Sequence, residues 1–265
     1  EAALSLARRG HRVRLIEMRP VTTTPAHKTD RLGELVCTNS FKSQDPANAH
    51  GQLKREMRAL GSLLLRVADD TTVPAGSALA VDRDLFSAEV QSRLEGEPGI
   101  DLVRREQEEV PAGRAIVASG PLTAGTLASG LVELTGVESL YFYDAIAPVV
   151  DAESIDRSAA FLQSRHEPVG EGDYLNCPFY REEYEAFVEE LLAADKVPLK
   201  RFEREIHFAG CMPVEAIAEK GWETLAHGPM RPVGITDPRT GKQPFAVIQL
   251  RMENRAGTAW NMVGF

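Results

Sequence analysis

Ala2, Ala3, Leu4 and Leu6 space small and apolar side chains as a helix would over residues 1–9, and Gly10 stands where a C-terminal cap belongs. The next phrase, RVRLIEM, places Val13, Leu15 and Ile16 in a short strand ending at Glu17. Helical spacing returns from Leu53 to Leu60, and Leu63 to Val67 is apolar. PAGSALAVDRDLF predicts a strand over Ala78–Val81 and a helix from Asp82 or Asp84 to about Leu94. IDLVRRE predicts another strand, and RAIVASGP predicts a buried strand, Ala115–Ala118, meeting a turn at Ser119-Gly120-Pro121. A helix capped by Thr123 and running to about Leu134, then the strand-like SLYFYDA, complete the alternation. Such alternation predicts an α/β layered domain up to about residue 150.

The pattern changes after Asp151. Residues 163–173, QSRHEPVGEGD, are Gly-, Pro- and charge-rich and predict a boundary or linker. Beyond them, residues 181–195 predict an acidic amphipathic helix with Tyr184, Phe187, Val188, Leu191 and Leu192 on one side. EIHFAG, FAVIQLRM and AWNMVGF are strand-like, with a short helix at PVEAIAEKG and a turn at DPRTGK. The expected division is therefore a domain over 1–165 and a second, α+β domain over 166–265.

Helix, glycine, strand and acid, in that order, form the second half of a βαβ unit. In dinucleotide-binding folds an acid at the end of the second strand accepts from the ribose hydroxyls, about 20 residues after a glycine-rich turn. Glu17 fits that acid, and counting back puts the turn ahead of Glu1. The chain starts inside a helix-like phrase and ends on strand-like residues, so the expectation is a window of a longer protein. Residues 20–48 form a long polar stretch, and a loop of that length inside a domain is usually functional or disordered. Its Cys37-Thr38-Asn39-Ser40 run sets a thiol beside small donors, which suits a loop facing a flavin or phosphate. The turn at Gly120 has two open readings, a backbone passing close to a dinucleotide and an ordinary strand-to-helix turn.

Composition narrows the class. The 265 residues are 43% hydrophobic and 26% charged with 3 Cys, an ordinary globular profile that excludes collagen-like and disulfide-framework proteins. No apolar run approaches the roughly 18 residues of a membrane span, and a cytoplasmic location is expected. Cys37, Cys177 and Cys211 include no C-x-x-C pair, so no metal site is expected. Residues 1–60 carry 11 Lys and Arg against 6 Asp and Glu, residues 61–195 carry 9 against 26, and residues 196–265 carry 10 against 7. Basic ends around an acidic middle are compatible with a local phosphate-facing patch; a solvated acidic helix face is the other reading.

Long phrases then carry a family resemblance. EAALSLARRGHRVRLIEMRP, TPAHKTDRLGELVCTNSFKS, LGSLLLRVADDTTVPAGSALAVDRDLF, YLNCP, EREIHFAGCMPVEAIAEKG and FAVIQLRMENRAGTAWNMVGF, in order over essentially the whole chain, resemble the folate- and FAD-dependent tRNA (uracil-5-)-methyltransferase family. The resemblance implies a bacterial, cytoplasmic flavoprotein that takes a one-carbon unit from methylenetetrahydrofolate and places it on C5 of the T-loop uridine of tRNA. NADH or NADPH would supply reducing equivalents through FAD. It implies a Rossmann-like FAD-binding domain with a smaller α+β insertion domain, and tRNA and folate as partners; no protein partner is inferred. A related FAD-dependent protein of tRNA wobble-uridine modification is the alternative, although it would not be expected to carry the ELVC and GCMP phrases.

Residue by residue, Glu17 matches the family's ribose-binding acid, and Arg19 either neutralises cofactor phosphate or sits in solvent. Cys37 and Cys211 match the two functional cysteines, while Cys177 matches a family phrase that assigns it no chemistry. C5 of uracil is a poor nucleophile; a thiolate adding at C6 creates an enolate that attacks an electrophilic carbon, and a base then removes the C5 proton. One cysteine would attack uracil and the other would guard a methylene carried on the flavin, with the assignment open. A thiol of ordinary pKa, about 8.5, needs positive charge or donors nearby. Asn39, Ser40 and Lys42 near Cys37, and His207 or Arg204 near Cys211, are candidates for that role, with Asn39, Ser40 and Gly120 as cofactor contacts. His27 either touches cofactor, folate or phosphate or is a solvated loop residue. Lys200, Arg201, Arg204, Arg251 and Arg255 would form phosphate contacts to tRNA, or else a surface salt-bridged to Glu203 and Glu205. Without the expected glycine turn, these 265 residues alone are expected to bind FAD poorly and to be inactive.

Overall fold

The computed structural model describes the chain apart from Pro25, Ala124, residues 137–146, residues 196–211 and Phe265. In chain order, α1 (Ala2–Ala7), β1 (Val13–Glu17), β2 (Ser40–Ser43), α2 (Ala49–Ala59) and α3 (Leu63–Asp70) lead to β3 (Thr72–Val73) and β4 (Ala78–Val81). Then come α4 (Arg83–Glu95), β5 (Ile100–Arg104), α5 (Gly125–Thr135), β6 (Val149–Asp151), β7 (Phe161–Leu162) and β8 (Tyr174–Phe179). The last elements are α6 (Arg181–Ala193), α7 (Val214–Ala218), α8 (Thr224–His227), β9 (Ala246–Met252) and β10 (Ala259–Met262). Parallel and antiparallel sheets coexist, which makes the fold mixed α/β.

The chain divides into two compact units. Among the described residues the first holds 1–36 and 87–136, and the second holds 37–86, 147–195 and 212–264.

In the first unit β1 and β5 pair in parallel, from Val13 opposite Ile100 to Glu17 opposite Arg104. The turn from α1 into β1 uses Gly10 at φ +85°, a left-handed conformation that glycine adopts without steric cost. α1 buries Leu4 and Ala7 and lies against β1 and β5. The expected strand at Ala115–Ala118 does not form; this stretch is irregular, and Ile116 is 66% exposed. A β-rich run becomes a strand only when a neighbouring ladder accepts its backbone groups, and among the described residues β1 and β5 pair only with each other.

The second unit contains an antiparallel sheet in the order β2-β4-β3 and a five-stranded antiparallel sheet in the order β6-β10-β9-β8-β7. β9 is central, paired on both edges, and its residues 246–251 are all buried, so both of its faces are covered. Successive side chains alternate between those faces. Ala246, Ile248 and Leu250 join the core of Leu175, Tyr184, Val188, Met230 and Trp260, against which Phe187 and Leu191 of α6 also pack. The alternate positions Val247, Gln249 and Arg251 therefore share the opposite face. Register sets Arg251 between Tyr174 of β8 and Asn261 of β10.

The expected linker at 163–173 is instead the connection of a hairpin, because β7 pairs with β8 across it. Gln163 and Ser164 are buried; the Gln163 amide accepts from Thr236 N–H at 3.0 Å and donates to Glu167 C=O at 2.7 Å. A break at residue 165 would cut this sheet, so the division into 1–165 and 166–265 does not follow the compact units. Glycine, proline and charge mark a turn as readily as a linker, and only strand pairing separates the two. SLYFYDA, at 139–145, and EIHFAG, at 205–210, lie outside the described residues.

Candidate functional site

Among the described residues, the first unit buries one cation, Arg19, at the end of its parallel pair. Arg19 follows β1 by two residues and is 4% exposed. Its Nε donates to Glu17 Oε1 at 2.8 Å, its Nη2 to Glu17 Oε2 at 3.1 Å, and its N–H to Glu17 Oε1 at 3.0 Å. Its Nη1 donates to Glu34 Oε2 at 2.6 Å and to Thr29 C=O at 3.2 Å. Glu34 in turn accepts from the N–H groups of Lys28 and Thr29. Arg104, opposite Glu17 in the strand pair, donates to the carbonyls of Arg19 and Asp30. Two carboxylates thus surround one buried guanidinium, and the polar segment after β1 is folded around it.

Burial pushes the Glu17 carboxyl up, but the bonds and charge of Arg19 outweigh it and hold the group below the ordinary carboxylate range. For Arg19 burial works against the cation, and Glu17 with Glu34 again outweighs it. His27 is lowered by burial and then by Arg19, and its Nδ1 hydrogen-bonds Thr24 Oγ1 at 2.8 Å. Arg19 is accordingly not a solvated side chain: four of its five side-chain N–H donors are engaged by Glu17, Glu34 and Thr29, and one Nη2 hydrogen is not among these bonds. Glu17 Oε1 accepts two bonds and Oε2 accepts one, so Oε2 retains an acceptor position.

In the second unit a polar network fixes the Cys37–Asn39 segment. Asn39 is fully buried; its Nδ2 donates to the carbonyls of Val81 and Met252, both at 3.0 Å. Its Oδ1 accepts from Arg251 Nε at 3.1 Å and Nη2 at 2.8 Å. Arg251 Nη2 also donates to Thr38 Oγ1 at 2.8 Å. Arg83, in the first turn of α4, donates from Nη2 to Cys37 C=O at 3.2 Å and pairs through Nε with Glu253. Asp82 caps α4 through the N–H groups of Asp84 and Leu85, and its other oxygen accepts from Arg255 N–H at 3.0 Å.

Two sequence expectations are corrected here. Asn39 has both side-chain amide hydrogens and both acceptor positions of Oδ1 committed to protein, so its side chain has no free position for a cofactor. Arg251 is 5% exposed with its donors turned inward, so it is not a surface phosphate contact. Arg255 is exposed, and it donates to the carbonyls of Thr72 and Asp70.

The remaining expected site residues are scattered. Cys37 is half-buried at the start of the network, and Ser40 begins β2, where its hydroxyl accepts from Lys42 N–H. Gly120 stands at φ +71° in an exposed turn of the first unit with no atom within 4 Å of where a Cβ would lie. Its conformation, not a close neighbour, is what asks for glycine. Cys177 is a β8 residue packed on the core, and burial pushes its thiol up, as suits a small hydrophobe. Cys211, Lys200, Arg201 and Arg204 lie outside the described residues. Arg83, Glu34 and Glu253 are not among the residues the sequence singles out. Arg83 had a detectable signal, a cation in the first turn of a predicted helix, where the helix dipole disfavours it.

Comparisons with known proteins place this geometry. The chain is 52% identical, over its full length, to a methylenetetrahydrofolate--tRNA-(uracil-5-)-methyltransferase TrmFO of Shouchella clausii and covers 61% of that protein. It is 56% identical to proteins of the same name from Geobacter sulfurreducens and Nitratidesulfovibrio vulgaris, covering 61% and 56% of them. The chain thus spans less than two thirds of these relatives. A family model described as glucose inhibited division protein A matches residues 1–265. The chain belongs to the glucose inhibited division protein A family.

Proposed function

We propose that the protein acts in methylenetetrahydrofolate-dependent methylation of C5 of the T-loop uridine of tRNA, with FAD as cofactor and NADH or NADPH as reductant. The observation that carries this reading is identity of 52–56%, along the whole chain, to methyltransferases named for that donor, that nucleic acid and that carbon. The reading includes a cytoplasmic site of action, a Rossmann-like FAD-binding domain that contains β1 and β5, and an insertion domain.

The residues of the first unit fit a dinucleotide. In parallel sheets ligands bind beyond the carboxyl ends of strands, and Glu17 closes β1. Its lowered pKa keeps it ionised, and the acceptor position left on Oε2 suits a ribose hydroxyl. Arg19 orients that carboxylate. Bound there, FAD would carry reducing equivalents to the one-carbon unit. Cys37, with Cys211 as the second thiol, supplies the nucleophilic or guarding sulfur, and Ser40 is a nearby donor.

The test is direct. The purified full-length protein should show flavin absorbance and, given methylenetetrahydrofolate, NADH and unmodified tRNA, should form 5-methyluridine in the T-loop. Cys211→Ala should abolish product while FAD stays bound. Absence of flavin, or label entering the wobble uridine instead, would overturn the proposal.

A further inference from the structure

Two arginines of the second unit break local rules, and both end on the same short segment. Arg83 is a cation in the first turn of a 13-residue helix, against the helix dipole. Arg251 follows five fully buried positions on the central strand, and burial pushes its pKa down, with Tyr174 and Glu253 opposing. Among the described residues no carboxylate bonds to Arg251; Thr38, Asn39, Asn261 and Tyr174 supply neutral oxygens. Around them Glu253 Oε2 and Asn261 Nδ2 are buried with no hydrogen-bond partner among the described residues. A cluster selected for stability alone would be apolar here, since replacing buried ionic groups with packed hydrophobic ones is often neutral or stabilising. Departures of this kind collect where function requires a fixed geometry.

What the cluster holds is the backbone of a thiol. Arg83 Nη2 grips Cys37 C=O, Arg251 Nη2 grips Thr38 Oγ1, and Asn39 is tied to β4, β9 and Arg251. Three consecutive residues that belong to no helix or strand, Cys37 to Asn39, are therefore anchored at each step. We propose that Arg83 and Arg251 are positioning residues for Cys37: they fix its backbone and so aim the thiol in the methyl-transfer reaction. This rests on the function proposed above, in which Cys37 is one of the two working sulfurs.

Thr38→Val removes the acceptor of Arg251 without touching Asn39, and Thr38→Ser restores it. Arg83→Lys keeps a cation for Glu253 but removes the arm that reaches Cys37 C=O. In the FAD-loaded full chain, iodoacetamide labelling of Cys37 is read on the tryptic peptide 32–42, with the Cys177 peptide 166–181 as internal standard. Thr38→Val and Arg83→Lys should each change the Cys37 rate by about fivefold or more while the Cys177 rate stays put, even where the lost bond lowers the melting transition. They should lower kcat by roughly ten- to a hundredfold, the order expected for a reacting group misplaced by about 1 Å, with KM for tRNA within about twofold. Thr38→Ser should recover both values. Wild-type rates in Thr38→Val and Arg83→Lys, or no recovery in Thr38→Ser, would overturn the positioning role. If wild-type protein transfers no methyl group while the labelling still responds as described, positioning of Cys37 stands and the methyltransferase reading falls.

Discussion

Among the described residues each unit buries one arginine to nearly the same degree, yet the two are held in opposite ways. Arg19 is surrounded by the Glu17 and Glu34 carboxylates, and its pKa is raised; Arg251 is surrounded by hydroxyl and amide oxygens, and its pKa is lowered. Burial by itself therefore does not say what a charged side chain contributes. A cation with bonded anions balances its own desolvation, and removing it strands the anions. A cation among neutral acceptors remains a net cost in stability, offset by the order it imposes on the groups it bonds.

That contrast can be broken most forcefully at Arg19. Arg19→Met should destabilise the first unit by about 3 kcal/mol at neutral pH, because it removes the buried guanidinium shared by two half-buried carboxylates. Hydrogen exchange of β1 and β5 amides is the suitable readout, since a chain of two units need not unfold in one step. The loss should shrink in acid. The native pKa of Glu17 is depressed, so its stabilisation is complete above the unfolded value of about 4.3 and disappears as pH falls through the lower native value. Below that range Arg19 has little left to stabilise at Glu17, and a penalty constant from neutral to strongly acidic pH would break the comparison.

Arg251→Met should cost less, about 1–3 kcal/mol, the penalty of orphaning Asn39 Oδ1 and Thr38 Oγ1, read on the β9 amides. With no carboxylate bonded to Arg251, the steep acid closing expected for Arg19 should be missing. A loss larger than that of Arg19→Met would mean that neutral acceptors hold a buried cation as well as anions do.

Asp237 sharpens the comparison by reversing it, since here the acid is buried and the arginine is half-exposed. Arg239 bonds hold the Asp237 carboxyl down to about 2 against burial, with the Tyr180 hydroxyl assisting. Asp237→Asn should cost about 1 kcal/mol after allowance for the solvent around Arg239, as measured by urea titration. The wild-type advantage should hold above the unfolded pKa of about 3.9 and fade as pH falls toward 2. Smallest of all, exposed Arg255→Ala should shift stability by about 0.5 kcal/mol or less. A larger change would give its bonds to Thr72 and Asp70 an importance that exposure argues against.

Much of the scaffold was legible beforehand. The strands Val13–Glu17 and Ala78–Val81, the helix beginning at Asp82 and the acidic amphipathic helix from residue 181 all follow from period and cap signals, and all form. The family phrases around Glu17 and Cys37 were equally visible. The failures share a cause. Ala115–Ala118 has strand composition but no ladder to join, and 163–173 has linker composition but lies between two paired strands. Asn39 and Arg251 look like surface chemistry because nothing local records that they are 212 residues apart in sequence and bonded to each other.

The sequence by itself determined the periodic elements, the acid that ends β1 and the thiol after a long polar stretch, because those depend on neighbours within a few residues. The tertiary structure decided which charges are buried and what they hold. Alternation in FAVIQLRM places Val247, Gln249 and Arg251 on one face, yet it takes pairing with β8 and β10 to set Arg251 beside Tyr174 and Asn261, and the return of residues 38–39 to supply its shortest bonds. A guanidinium is costly away from water, so it stays buried only where oxygens from distant segments converge on it. That convergence is long-range, and it turns an apparent phosphate contact into a bonded partner of Thr38 and Asn39.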